Sequence, residues 1–210
     1  MQNINKKTIL IGYSGHGIEV ADAAIQLGYN LIGYCDLNKK KTNPFNLNFL
    51  GNEKELKSIY FNDEYQFIMG IGDNKIRNNV FDFLINKTER IISIIHRKAV
   101  LSSKVNIKKG SYISKNSLIN SMSEIGSNCI INSGSIIEHD CKILNNVHVA
   151  PGCVVLGNVK IGSNSFIGAN STIKEGLEIG NNVIIGAGSL VLNDIPNDSL
   201  FYGSPGKIIK

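Results

Sequence analysis

From Leu101 onward, apolar residues recur at every sixth position. Ile107, Ile113, Ile119, Ile125, Ile131, Ile137, Ile143, Val149, Val155, Ile161, Ile167, Ile173, Ile179, Ile185 and Val191 form a series of fifteen β-branched aliphatics without an insertion. A period of six fits neither an amphipathic helix nor a flat strand, and it predicts a parallel β-helix whose coils close after three hexads, about five coils in all. Two residues before each aliphatic the side chain also points inward, and there the chain places Ser, Cys, Val or Leu, from Ser111 to Ser189. Three residues after each aliphatic the chain must turn. Twelve of the fourteen positions from Gly110 to Gly188 are Gly or Asn, the residues that accept positive φ; Met122 and Asp140 are the exceptions.

The residue just before each aliphatic faces outward, and eighteen-residue spacing sorts these residues into three faces. Asn106, Glu124, Lys142, Lys160 and Glu178 belong in water. Leu118, Ile136, Val154, Thr172 and Leu190 form a second, apolar face, and Tyr112, Ile130, His148, Phe166 and Ile184 a third. Two apolar faces need cover. A closed ring of three prisms, each laying these faces against its neighbours, would supply it, so a homotrimer is expected.

Residues 8 to 95 follow another rhythm. Thr8 to Tyr13, Leu31 to Cys35, Gln66 to Ile71 and Arg90 to Ile95 read as strands, and Ile18 to Leu27, Glu53 to Ile59 and Asn74 to Ile85 as helices. Strand and helix in alternation predict a small parallel α/β sheet, whose ligands sit beyond the carboxyl ends of the strands. The expected domains are therefore residues 1–97 and 98–210.

Composition narrows the function classes. The 210 residues carry a net charge of +5, from 22 basic and 17 acidic side chains, and the short lysine runs are not interleaved with aromatics. That argues against a nucleic-acid surface and suits small anionic ligands. Four cysteines without a CxxC pair give neither a zinc knuckle nor a disulfide framework, so no metal and a cytoplasmic location are expected. The first apolar run, Thr8 to Tyr13, is too short for a signal peptide or a membrane span.

Candidate chemistry falls in both halves. Gly12-Tyr13-Ser14-Gly15-His16-Gly17 follows a strand and opens a helix, where backbone N–H groups can face a phosphate. Asp36 ends the second strand, where an acid can accept hydrogen bonds from a ribose or a base, and Gly70-Ile71-Gly72-Asp73-Asn74 ends the third. Three loops on one rim favour a nucleotide-like ligand. In the repeat, His139 occupies a corner beside Asp140, a carboxylate that can fix the imidazole tautomer and raise its basicity, as a general base needs. His148 interrupts an apolar face, and in a closed ring the corner with His139 would approach the third face of a neighbour.

Taken together, the GYSGHG loop, Asp36, the GIGDN turn, the IIEHDC corner, the HVAPG segment and the terminal YGSPGKII resemble, end to end, the NeuD/PglD family of bacterial sugar acetyltransferases. That resemblance implies a Rossmann-like domain followed by a left-handed β-helix, an exception to the usual right-handed crossover. It also implies a trimer, with acetyl-CoA as co-substrate and a nucleotide-linked 4-amino-sugar as acceptor. By the same resemblance His139 is the catalytic base and Asp140 its acidic partner. His148, Ala169 and Ala187 would contact acetyl-CoA, and Ser14, Gly15, His16, Asp36, Leu37 and Gly72 the nucleotide sugar. Leu37 stands where PglD-type enzymes carry a second acid, so a uridine nucleotide is not singled out. O-acetylation of a sialic acid is the alternative within the family; a nucleotide-binding dehydrogenase and a non-catalytic scaffold are the alternatives outside it.

Overall fold

A computed structural model describes residues 4–209. Its small domain contains β1 (Lys7–Ile11), α1 (Gly15–Gln26), β2 (Asn30–Cys35), β3 (Asn48–Phe49), β4 (Tyr65–Met69) and α2 (Asn74–Ile85). The sheet is wholly parallel in the order β3-β2-β1-β4. All five residues of β4 are buried because elements cover the sheet on both faces. Strand order reverses between β1 and β4, the place where ligands enter open α/β sheets. The loops after these two strands are pressed together there. A Cβ on Gly17 would lie 2.2 Å from the Gly12 carbonyl oxygen, and one on Gly70 would lie 2.4 Å from the same atom.

Two segments depart from the expected pattern. Glu53 to Ile59 does not form an α-helix: Asn52 and Glu55 close a capping box around a single 3₁₀ turn, Glu53–Glu55, and Leu56 at ψ 127° breaks it before a second turn, Ser58–Phe61. Arg90 to Ile95 adds only an isolated bridge, Phe67 to Ile91, to the small sheet. The chain then leaves, and Ile94–Ile95 pairs with Tyr112–Ile113 as the first strand of the second domain.

That second domain is the three-sided prism. Two-residue strands stack at eighteen-residue spacing into sheets of five, six and eight strands, which correspond to the polar, second and third faces. All fourteen turn positions adopt positive φ, including Met122 at 64° and Asp140 at 59°. The small inward residues also donate to the next corner. Ser111 Oγ reaches the Gly126 carbonyl at 2.8 Å, and Cys129, Cys141 and Cys153 Sγ reach Leu144, Leu156 and Gly168 at 3.0, 3.1 and 3.0 Å. Cysteine thus takes a serine's place without leaving a buried carbonyl unpaired. The antiparallel hairpin Leu200–Gly203 with Gly206–Ile208 closes the last coil.

The third face requires a correction. It is not wholly available to a neighbour, because the chain's own small domain sits on its upper half. Tyr112 is 3% and Ile130 1% exposed, packed with Tyr13, Val20 and Ile68. Only Phe166, half-buried, and Ile184, exposed, continue the face below that contact.

Candidate active site

Where the switch point of the small sheet meets the third face, a cavity of about 600 Å³ opens. Gly72, Asp73 and Asn74 line it from the small domain, and Asn146, His148 and Phe166 from the prism. Asp73 caps α2, its carboxylate accepting from the Ile76 N–H at 2.8 Å. Asn74 then stitches the helix start to the prism, donating to the carbonyls of Asn164 and Ser165 at 3.2 and 3.1 Å. In return Asn146 Nδ2 donates to the Asn74 carbonyl at 3.0 Å.

Behind the cavity lies Arg77, 1% exposed and, among the described residues, with no carboxylate within ion-pair distance. Its Nη1 donates to the Gly72 carbonyl at 2.8 Å and Nη2 to Asn74 Oδ1 at 2.8 Å. From the same guanidinium, Nε reaches the Asn128 carbonyl at 3.0 Å and Nη2 the Asn146 carbonyl at 3.3 Å. One cation therefore ties the β4–α2 loop to two coils of the prism. Burial lowers its pKa to about 10, which leaves it charged at neutral pH. Arg77 carries no signal in the sequence, because its prism partners are backbone carbonyls 51 and 69 residues away.

The expected small-domain residues divide into two groups. His16 points into the domain junction, edge-on to Tyr112 with ring centroids 5.4 Å apart and 6.4 Å from the His148 ring. Gly72 lies against it, so His16, Gly72 and His148 form one cluster. Ser14 and Gly15 are exposed at the start of α1; the Ser14 side chain makes no capping bond, and nothing lies within 4 Å of where a Gly15 side chain would begin. Asp36 is engaged internally, accepting from Tyr13 N–H at 2.9 Å and Leu37 N–H at 2.8 Å and pairing with Lys40 at 2.7 Å. Burial opposes its ionisation, but Lys40 and these N–H groups outweigh that and hold the carboxyl below its ordinary pKa. Asp36 thus braces the glycine loop. Leu37 beside it is 79% exposed.

Burial, then the Arg77 charge, lowers the pKa of His16 to about 4 and that of His148 to about 3; the Gly72 backbone opposes the shift at His148 only weakly. Both imidazoles are therefore neutral in the folded protein. Since their folded pKa values lie below the ordinary 6.5, the associated stability is complete above pH 6.5 and is lost as pH falls towards 4. The melting temperature of the wild type is expected to fall between pH 7 and 5, and a His16→Asn/His148→Asn variant should show a flatter profile. A wild-type curve that is level over this range would contradict the assignment.

His139 and Asp140 sit elsewhere, on the corner between the six- and five-stranded sheets. His139 Nδ1 lies 2.8 Å from Asp140 Oδ2, so even the short acid reaches the ring. The carboxylate accepts from Nδ1–H, which places the basic lone pair on Nε2. Their side chains are 63% and 57% exposed, on an edge of the prism that the cavity does not touch. Ala169 and Ala187 lie on the remaining edge, between the eight- and six-stranded sheets; Ala169 is half-buried and Ala187 exposed. Cys141, next to the histidine corner, is fully buried, and burial pushes its thiol pKa up, so it supplies no thiolate.

Comparisons with known proteins place this arrangement. Residues 7–84 match the PglD N-terminal domain, and residues 122–157 and 158–193 match the bacterial transferase hexapeptide (six repeats). Perosamine N-acetyltransferase from Caulobacter crescentus, as a histidine-to-asparagine variant with CoA and GDP-perosamine, superposes with a TM-score of 0.92 at 26% identity, covering 97% of each chain. The acetyltransferase domain of PglB from Neisseria gonorrhoeae gives 0.90 at 27% identity over 98% of this chain and 100% of that one. The same domain in complex with acetyl coenzyme A gives 0.89. The prism is a left-handed β-helix and the small sheet a Rossmann-like domain. With both parts matched in the same order, the chain belongs to the NeuD/PglD-type sugar acetyltransferases.

Proposed function

We propose that this protein transfers the acetyl group of acetyl-CoA to the amine of a nucleotide-linked 4-amino-sugar, at a site completed by a neighbouring subunit. The observation that carries the reading is the cavity at the switch point. It is lined by the neutral His148 imidazole, with His16 packed behind it, and by a capped helix start, in a fold shared over 97% of its length with an enzyme that binds CoA and GDP-perosamine. His16 does not line the cavity but packs against Gly72, which does; its Nε2 is buried without a hydrogen-bond partner among the described residues, a state in which buried polar atoms are rarely left.

Within one chain the proposed base and the cavity lie on different edges of the prism, so a single chain does not join them. A homotrimer would. The second face, with Leu118, Ile136, Val154 and Leu190 only half-buried, supplies apolar contact area for a neighbour. At the seam, His139 Nε2 would take the proton as the sugar nitrogen adds to the thioester carbonyl, and the CoA thiolate would leave. Positioning both substrates together avoids an acyl-enzyme. His148, Ala169 and Ala187 would contact acetyl-CoA; Ser14, Gly15, His16, Asp36, Leu37 and Gly72 would surround the nucleotide sugar. Asp36 would act there through the loop it braces. None of the described helices is long and apolar enough to cross a membrane, and a cytoplasmic setting fits a cytosolic thioester and four buried free thiols.

The test is thiol release from acetyl-CoA with UDP- and GDP-linked 4-amino-sugars and with sialic acid as acceptors. Release with an amino-sugar nucleotide is expected. Release with sialic acid alone would overturn the N-acetylation reading.

A further inference from the structure

The corner that carries His139 contains a glycine whose presence the fold does not explain. Ser121, His139, Gly157 and Glu175 occupy equivalent places in successive coils at eighteen-residue spacing. Side chains are therefore accommodated at this position of the corner. Nor does the turn require glycine at 157. The left-handed residue of that corner is Asn158, at φ 57°, and Gly157 itself lies outside the positive-φ region.

What fills the space is the imidazole one coil away. A Cβ on Gly157 would lie 2.7 Å from His139 Cε1, 2.8 Å from Nε2 and 3.3 Å from Nδ1, and these are its three nearest atoms. All of the conflict is with the ring. The His139 carbonyl accepts from Asn158 N–H at 2.9 Å, so the histidine backbone is fixed to this coil and only the side chain could give way. Because that side chain is exposed, it could swing outward at little cost to the fold, but it would leave Asp140 Oδ2, now 2.8 Å from Nδ1.

We propose that Gly157 is a positioning residue for the transfer reaction: its missing side chain forms the seat that holds the His139 imidazole against Asp140. The proposal rests on reading His139 as the base. It adds that the base's orientation is set by the coil beneath as well as by the neighbouring acid. A group displaced by about 1 Å from a reactive geometry can lose on the order of 10²-fold in rate.

Gly157→Ala is the test, read three ways. The kcat for acetyl transfer is expected to fall about 10- to 100-fold while KM for each substrate stays within about twofold, as for an interaction made chiefly in the transition state. In ¹H–¹⁵N spectra of the imidazole nitrogens, His139 should lose the single Nδ1–H tautomer that the carboxylate enforces. The melting temperature should be close to that of the wild type. If the variant is less stable, the His139→Ala/Gly157→Ala pair decides. Stability restored in the double variant locates the conflict at the imidazole and supports the seat; an equal loss in both backgrounds shows that the glycine serves the fold and overturns it. Wild-type kcat with unmoved His139 resonances also overturns it. Should His139→Ala retain full activity, the base reading falls, while the imidazole spectra of Gly157→Ala still decide whether the seat exists.

Discussion

Replacing His139 by alanine is expected to lower kcat for acetyl transfer about 10²- to 10⁴-fold, the range a positioned general base contributes, with little change in folding. Both halves follow from the corner's geometry. The imidazole is largely exposed and contacts Asp140 and the surface of Gly157, so its removal leaves no buried cavity. Its Nε2 carries the free lone pair, and Cys141, the nearest thiol in sequence, is buried and protonated, so no thiolate at this corner can take its place. Asp140→Asn separates charge from shape, because Asn adopts the same left-handed turn at seven of the fourteen turn positions of this repeat and lacks the carboxylate. Steady-state thiol release with thermal melting checks the prediction. Wild-type turnover in His139→Ala would assign the base elsewhere.

The second large effect is expected at Arg77, and it is one of stability. Arg77→Met keeps some apolar volume but strips donors from the carbonyls of Gly72, Asn128 and Asn146 and from Asn74 Oδ1. Each buried acceptor left unpaired costs about 1–3 kcal/mol. Burial of the cation itself is unfavourable, and its removal returns part of that cost. A net loss of about 3 kcal/mol would lower the melting temperature by about 6–12 °C for a chain of this size. The loss should be accompanied by loosening at the domain junction, seen as faster amide exchange over α2 and the β4–α2 loop. A melting temperature within about 2 °C of wild type, the shift that about 1 kcal/mol or less produces in a chain of this size, would mean the domains are held by their apolar contact alone.

Much of the prism was legible because one physical constraint repeats: a side chain that must point inward every sixth residue leaves its mark at Ile107 and at every position to Val191. Asp140 also stood out, as an acid where Asn or Gly is the rule. What the chain could not announce was which body covers an apolar face. Tyr112 and Ile130 suit a neighbouring prism as well as α1 and β4 of the same chain, and the structure gives them to the latter. Arg77 escaped for a related reason. On an amphipathic helix an arginine reads as a solvent residue, and only the tertiary docking of α2 brings distant carbonyls around it. The 3₁₀ turns at Glu53–Glu55 and Ser58–Phe61 carry apolar spacing close to a helix's, but the extended backbone at Leu56, ψ 127°, separates them before an α-helix can form.

The central claim is that His139 of one chain serves the cavity of another, and subunit complementation tests it most directly. His139→Ala chains, with an intact cavity, are mixed and reassembled with chains whose cavity is blocked by Gly72→Trp and whose His139 is intact. Random trimers of two such inactive chains would carry a complete seam at about one interface in four, so about a quarter of wild-type activity should return. Mixed trimers that form, as shown by mass, yet remain inactive would contradict the shared site.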